Sequence, residues 1–159
     1  MRKAMLVLAV FGLVGSLWAA DTSPTMGTWK LNLAKSKILG SNAANLNETI
    51  TVFREIDADT VEGVSTDTLK DGKTNTTKWT VPKNGGFQTY QQGGPAKGTS
   101  ILSVVIDPST MYNVYLRDGK QVFLMHVIFS KDFKTFTITA KGTDAQGKPF
   151  EYLGLYEKQ

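Results

Sequence analysis

Residues 111–129 run MYNVYLR, then Asp118-Gly119, then KQVFLMHVIF. Each half has the composition and period of a β-strand, and Asp-Gly is a residue pair that two-residue hairpin turns favour. A second such pair, Asp71-Gly72, separates two further alternating segments. Because strands joined by tight turns are antiparallel neighbours, these stretches predict an antiparallel meander.

Segments of this kind recur along the chain, with turn residues such as Gly, Asp, Asn and Pro about every ten residues, which is typical of an all-β sandwich or barrel. A meander of this length leaves two exposed sheet edges, and closing the sheet into a barrel removes both. We therefore predict an all-β, antiparallel up-and-down barrel of about eight to ten strands. The predicted strands are 26–32, 48–56, 61–69, 74–81, 87–91, 99–107, 111–117, 121–129, 133–141 and 149–157.

The predicted strand 121–129 is apolar on both faces, so it needs cover outside the barrel as well as inside. Its two faces carry Val122, Leu124 and Ile128, and Phe123, Met125, Val127 and Phe129. The one long connection without a strand pattern is 34–45, whose composition allows a short helical turn. The alternatives for this connection are a packed plug or lid and a mobile loop.

The N-terminal residues have the composition of a secretory leader. Arg2 and Lys3 precede an uncharged apolar run over 5–17, and the small residues Ala19 and Ala20 follow. The run has about 13 residues, whereas a bilayer-spanning helix needs roughly 20. No Cys follows that could carry a lipid. We predict a signal peptide at 1–20, a single domain at 21–159, a periplasmic or secreted location, and no stable membrane anchor after processing.

Charge and cysteine content narrow the classes of function. The chain has 18 basic and 14 acidic residues, and the leader holds two of the basic ones, so the formal charge falls from +4 to +2 on processing. Lys residues are scattered, and Arg54 and Arg117 are the arginines left after processing, a pattern that does not predict nucleic-acid binding. Because the chain has no Cys, its stability must come from the core rather than from disulfides.

Residues with catalytic or metal-binding potential are few. The single histidine, His126, lies in an apolar strand, where a buried, hydrogen-bonded structural role is the first interpretation and a polar ligand anchor the alternative. With one His and no Cys, a zinc site of the common type is not expected. No Ser stands out as the partner for a Ser-His-Asp triad, and Asp57 and Asp59 have the spacing of turn formers. We predict no enzyme activity, no metal and no cofactor.

Aromatic and apolar residues on the predicted strands supply the candidates for ligand contact, although most strand aromatics pack in the core. Parity prevents all the candidates from pointing inward, since Met125 and His126 are adjacent on one strand. The candidate lining residues of a barrel cavity are Trp79, Tyr112, Val114, Phe123 and Met125, with His126 and Arg54 as polar anchors.

Both ends of the chain carry motifs of a known group of barrels. Gly27-Thr28-Trp29 resembles the Gly-x-Trp motif of lipocalins and the wider calycin group, in which the indole closes one end of the barrel. The resemblance implies that Gly27 and Trp29 are structural and that Lys158 packs over the Trp29 ring. With AKSK at 34–37 and GTDAQGK at 142–148, the chain is similar in particular to small exported bacterial lipocalin-like proteins of uncharacterised function, frequent in soil acidobacteria.

Three hypotheses for function follow. The first is an exported, non-enzymatic lipocalin-like protein that binds a small, mostly apolar molecule in the barrel, and an empty cavity above about 300 Å³ favours it. In the second hypothesis side chains fill the barrel, and the protein acts through an outer apolar surface such as the odd-numbered side of 123–129, as a monomer or a homodimer. A contiguous exposed apolar patch favours this hypothesis. The third is an isomerase or cyclase in a calycin-type barrel, which a buried ionisable group with a strongly shifted pKa favours.

Overall fold

Threonine-rich and β-branched segments form strands here because their side chains fit a pleated, half-buried surface. The computed structural model describes residues 23–38, 43–143 and 149–159. These residues contain single 3₁₀ turns at Leu33–Lys35 and Ala43–Asn45, and among them no helix has the length and apolar composition of a membrane span. They also contain twelve strands: β1 (Gly27–Leu31), β2 (Lys37–Ile38), β3 (Leu46–Glu55), β4 (Thr60–Leu69), β5 (Thr74–Pro82), β6 (Gly86–Phe87), β7 (Thr89–Gln92), β8 (Thr99–Asp107), β9 (Thr110–Arg117), β10 (Lys120–Phe129), β11 (Thr135–Thr143) and β12 (Pro149–Lys158).

All twelve strands belong to one antiparallel sheet. Along it the order is β6-β8-β9-β10-β11-β12-β1-β3-β4-β5-β7, and β2 pairs with β12 beside this path. The two ends of the order are β6 and β7, which are separated in the chain by Gln88 alone. The chain itself therefore bridges the two ends, and the sheet is a nearly closed barrel, which confirms the predicted fold class.

The two Asp-Gly turns differ. Asp118 and Gly119 both have positive φ, 50° and 77°, which is the backbone of the expected two-residue hairpin. In the turn between β4 and β5 Gly72 alone has positive φ, 82°. The Asp71 carboxylate accepts the backbone N–H of Lys73 at 3.0 Å, and this local bond stabilises a wider loop than the sequence predicts.

The barrel has more strands than the ten segments predicted. The segment predicted as one strand at 87–91 is divided, because Gly86–Phe87 pairs with β8 whereas Thr89–Gln92 pairs with β5. The connection predicted at 34–45 contributes β2, which pairs along the flank of the barrel with β12, together with part of the first 3₁₀ turn and all of the second. Its residues 39–42 lie outside the described residues, so the alternatives of a lid and a mobile loop stay predictions. The predicted signal peptide at 1–20 and residues 144–148 of the GTDAQGK motif lie outside the described residues.

Trp29 closes one end of the barrel, and its side chain is fully buried. Its indole packs edge-on against Phe129 and Phe136, with ring centroids at 5.5 and 4.9 Å. The indole Nε1 donates to the carbonyl oxygen of Thr25 at 3.1 Å. The Lys158 ammonium lies 5.2 Å from the centroid of the Trp29 ring, on the side where the lipocalin resemblance expects a basic residue.

Gly27 is required beside this cation–π pair. Its φ is 122°, which L side chains rarely adopt, and a Cβ would lie 3.1 Å from Lys158 Cε. Lys158 Nζ also donates to the carbonyl oxygen of Pro24 at 2.7 Å. These contacts connect the segment before β1 to the end of β12 and hold the closed end together.

The two apolar faces of β10 divide between the interior and the surface. Met125 and Val127 point into the barrel, so the even-numbered side faces outward, and Leu124 and Ile128 are 37% and 45% exposed. The expectation that the odd-numbered side forms an outer surface is therefore wrong. Its cause is the packing of Val127 and Phe129 in the cluster around Trp29, which sets the parity of the whole strand.

Candidate ligand-binding cavity

Side-chain alternation turns one face of every strand toward the barrel axis. On β3, β4 and β5 these inward residues are odd-numbered except for Leu46, which precedes a register shift in β3, and Pro82 at the end of β5. Together with the inner faces of the other strands they enclose a cavity of about 750 Å³. Small-molecule sites in proteins occupy about 300–1,000 Å³. The barrel is therefore hollow rather than filled by its own side chains.

The apolar part of the lining begins at the closed end. Phe53, Phe129 and Phe136 line the cavity and also pack around the Trp29 cluster. Trp79 continues this surface, with its ring centroid 6.0 Å from that of Phe53. The lining around the Trp29 cluster therefore contains several aromatic rings.

Two glycines give large aromatic side chains room on the inner wall. Gly63 faces Trp79 across β4 and β5, and a Cβ at Gly63 would lie 2.3 Å from the indole. A Cβ at Gly154 would lie 2.5 Å from the hydroxyl of Tyr152. Because the rings lie against bare backbone, they occupy the wall and leave the centre of the barrel open.

A hydrogen-bond network lines the cavity where the two ends of the sheet meet. The Tyr90 hydroxyl donates to Gln88 Oε1 at 2.6 Å. Gln88 Nε2 donates to Ser103 Oγ at 2.9 Å and to Asn113 Oδ1 at 3.3 Å, and Ser103 Oγ donates to Asn113 Oδ1 at 2.7 Å. Gln88 thus joins β7 to β8 and β9, and it supports barrel closure while lining the cavity.

A second polar group lines the cavity along β3, β4 and β12. Thr49 Oγ1 donates to Asp67 Oδ1 at 2.6 Å. The hydroxyl oxygens of Tyr152 and Tyr156 are 3.0 Å apart and share a hydrogen bond. All four residues line the cavity, so a bound molecule has a carboxylate and two phenols within its reach.

Burial raises the pKa values of the cavity tyrosines. It is the main cause that brings the pKa of Tyr115 to about 12, and it also raises the pKa of Tyr90. For Tyr152 and Tyr156 burial is again the largest cause of a raised pKa, and the negative charge of Asp67 adds to it. The four phenols are therefore neutral at physiological pH and act as hydrogen-bond donors and acceptors.

The charged residues of the described lining are Glu55, Asp67, Lys83 and Asp107. Lys83 Nζ pairs with Glu55 at 3.0 Å. Asp107 caps its own turn, and the hydrogen bonds that it accepts from Ser109 hold its pKa below the usual range. Three of these residues lie at or near strand ends at one end of the barrel: Glu55, Lys83 and Asp107. The fourth, Asp67, lies toward the other end, in the second half of β4.

The structure places two of the predicted ligand residues, Trp79 and Met125, on the cavity lining. Phe123 stacks on Tyr115, with ring centroids 3.9 Å apart, so it supports a lining residue from the side. Contact of these residues with a ligand stays a prediction.

Three other predicted ligand residues face outward, which corrects their assignment to the lining. Tyr112 and Val114 flank Asn113 on β9, and because Asn113 lines the cavity its neighbours point to the outer face. Arg54 is on the outer face of β3, where its Nε donates to the buried Glu62 carboxylate at 2.6 Å. With Lys78 2.7 Å away on the other side, Glu62 is the centre of a surface ion-pair ladder.

His126 also lies on the outer face, between Met125 and Val127, which line the cavity. Its ring stacks on Tyr112 with a centroid separation of 4.4 Å. Its Nε2 is buried and has no hydrogen-bond partner among the described residues. The expected hydrogen bond is therefore absent at Nε2 among the described residues, and the alternative of a polar anchor inside the cavity is wrong.

Sequence reasoning missed the polar lining residues, chiefly Asp67, Gln88 and Asn113. A signal for the first was present, because residues two apart share a face, and Trp79 places Asn75 inward on β5. Asn75 is paired with Asp67 in the register of β4 and β5. Among the described residues no three His, Asp or Glu side chains are grouped so that they could hold a metal ion. The site offers apolar burial and hydrogen bonding.

No family model and no curated protein sequence matches the chain. The fold is similar to crystal structures of the fluorescent protein UnaG. The wild type is 13% identical with a TM-score of 0.56, covering 84% of this chain and 96% of UnaG. An asparagine-to-alanine mutant is 12% identical with a TM-score of 0.55, covering 86% and 96%. The siderocalin Ex-FABP has a TM-score of 0.45 at 11% identity, covering 86% of this chain and 75% of its own. The likeness to UnaG confirms a lipocalin-like barrel fold.

Proposed function

We propose that this protein is exported and binds a small, mostly apolar molecule inside its barrel, without catalysing a reaction. The observation that carries the proposal is the cavity of about 750 Å³, whose lining combines aromatic and aliphatic side chains with hydrogen-bonding groups. Such a combination is typical of small-molecule sites. The leader-like composition of the N-terminal residues supports export.

The size of the cavity sets the affinity to expect. A ligand that buries about 300 Å² of apolar surface gains about 7.5 kcal/mol at 25 cal/mol per Å². Association costs several kcal/mol of lost freedom, which hydrogen bonds to the polar lining partly offset. Dissociation constants in the micromolar range or weaker follow, since 1 μM corresponds to about 8 kcal/mol.

The absence of catalysis is part of the proposal because of how the ionisable groups are arranged. The single histidine faces outward, away from the cavity. The four tyrosines of the described lining have raised pKa values, which makes them poor general bases at neutral pH. A ligand in this cavity is held by contacts that position it, with no activated nucleophile beside it among the described residues.

A matched pair of variants tests binding inside the barrel. Ser65→Phe adds a ring on the cavity side of β4, and Thr66→Phe adds the same ring at the next residue, which faces outward. With the neutral apolar dye N-phenyl-1-naphthylamine, we expect wild type and Thr66→Phe to bind alike and Ser65→Phe to bind at least tenfold more weakly. Equal binding by the two variants, or no binding by the wild type, would contradict the proposal.

A second candidate, association of two copies through an outer apolar face, rests on exposed side chains of β8 and β10. Val104, Ile106, Leu124 and Ile128 are all at least 37% exposed. A patch three strands wide and about 15 Å long covers roughly 200 Å², whereas a stable interface needs about 800 Å² per partner. The candidate therefore ranks second, and sedimentation at 10–100 μM should show a monomer; a dimer would reverse the order.

A further inference from the structure

Asp67 and Asp107 are the lining carboxylates that no described Lys or Arg pairs with, and of the two only Asp107 is held in its own turn, by hydrogen bonds from Ser109. Asp67 lines the cavity, and no Lys or Arg among the described residues is within 4 Å of it. The one basic residue of the described lining, Lys83, pairs with Glu55 and is hydrogen-bonded through its backbone to Asp59. Eight residues of extended chain separate Asp59 from Asp67, a distance of roughly 25 Å along the strand.

The surroundings of Asp67 hold hydrogen-bond acceptors next to apolar surface. Thr49 donates one hydrogen bond to Asp67 Oδ1, and the phenols of Tyr152 and Tyr156 are near enough to experience its negative charge. The aliphatic side chains on the same part of the lining belong to Ile38, Leu46 and Leu69. A neutral apolar ligand would contact these aliphatic side chains but would leave the Asp67 carboxylate without a counter-charge.

We propose that the ligand is an apolar amine, whose protonated nitrogen lies beside Asp67 while its apolar body extends toward Trp79 and Phe53. This inference rests on the proposed function of a cavity binder and names the chemical class that the cavity accepts. An ammonium group has three N–H donors and no acceptor, which matches a carboxylate that shares the cavity lining with phenol oxygens. Its hydrogen bonds to the carboxylate are charge-assisted and stronger than those of an alcohol.

The same charge disfavours fatty acids and other carboxylates. An anionic head group at this place would lie next to Asp67, and like charges that share a low-dielectric site repel strongly. At the other end of the described lining, Lys83 already has Glu55 as its partner and Asp107 as a lining neighbour. The charge of the described cavity therefore disfavours anionic ligands, although its apolar lining could contact their hydrocarbon chains as well as those of amines.

Three ten-carbon probes test this selection: decylamine, 1-decanol and decanoate. They are titrated calorimetrically at neutral pH, below the critical micelle concentrations of the two ions and the solubility limit of the alcohol. We expect the wild type to bind decylamine at least tenfold more tightly than decanol, and decanoate most weakly. Asp67→Asn, which keeps the shape of the side chain, should lower the affinity for decylamine at least tenfold and leave that for decanol within threefold. Asp71→Asn is the matched control, because it removes a carboxylate of the same hairpin outside the cavity, and it should change none of the three.

Two results would overturn the inference and spare the proposed function: decanoate bound as tightly as decylamine, or a decylamine affinity that Asp67→Asn leaves unchanged. The wild-type ranking is decisive by itself if Asp67→Asn fails to fold. Failure of the folded wild type to bind any of the three probes would overturn the proposed function and the inference with it.

Discussion

Replacement of Trp29 by Ala tests the closed end of the barrel. The indole is fully buried, and its removal takes away two edge-on aromatic contacts, the hydrogen bond to Thr25 and the ring beneath Lys158. Truncation of a large buried aromatic residue costs about 3–5 kcal/mol, and the extra polar contacts favour the upper part of that range. Such a loss is at least about a fifth of the stability of a typical domain, which is about 5–15 kcal/mol.

Equilibrium unfolding in urea, followed by far-ultraviolet circular dichroism, measures this loss. With a slope of about 2 kcal/mol/M, the midpoint should fall by about 1.5–2.5 M. Trp79→Ala is the control, because Trp79 is only partly buried and borders a cavity, so its truncation should lower the midpoint by no more than about half as much. A Trp29→Ala midpoint equal to that of the wild type would refute the role of Trp29 at the barrel end.

Three further substitutions test other parts of the structure. Gly63→Ala places a methyl group where the Trp79 indole packs, so the indole must move. The free energy of unfolding should fall by about 1–3 kcal/mol, and the near-ultraviolet circular dichroism of the indole should change. An unaltered spectrum would count against the close approach of Trp79 to Gly63. Hydrogen bonds from two lysines bring the pKa of the Glu151 carboxyl to about 2 in the folded protein. Below about pH 4.5 the unfolded state therefore binds more protons than the folded state, and the stability that Glu151 contributes is lost as the pH falls toward 2. Glu151→Gln should make the urea midpoint fall less steeply between pH 5 and 3, and an unchanged slope would contradict the ion pairs. His126→Phe keeps a ring on Tyr112 and removes a buried nitrogen that has no hydrogen-bond partner in the described part of the chain. It should therefore raise the free energy of unfolding by about 1 kcal/mol, and a clear loss would indicate a partner for Nε2.

The fold was predictable where local chemistry decides it. Asp118-Gly119 forms the expected hairpin because both residues accept the positive φ that the turn requires. The division of the segment 87–91 at Gln88 was not predictable, because it depends on the meeting of β5 and β8 when the barrel closes. Pairing partners that are distant in sequence leave no local signal.

The cavity was less predictable, because a strand that is apolar on both sides does not reveal which side faces inward. On β10 Met125 lines the cavity and the adjacent His126 does not, although both of these residues lie in a strand with apolar residues on its two faces. On β4 the outward Glu62 is buried under its basic partners, while the inward Asp67 is held by a hydroxyl from the neighbouring strand. Cross-strand partners of this kind decide where a carboxylate is tolerated, and sequence spacing alone does not reveal them.

Native mass spectrometry of the protein purified from its own host tests the central claim, that the barrel binds a small molecule in its cavity. After incubation with a concentrated extract of the host, which supplies the ligand lost on purification at micromolar affinity, wild type and Thr66→Phe should each carry one small molecule per chain. Extraction and fragmentation then identify it, and Ser65→Phe should carry none. Ligand-free masses for all three proteins after this incubation would contradict the account.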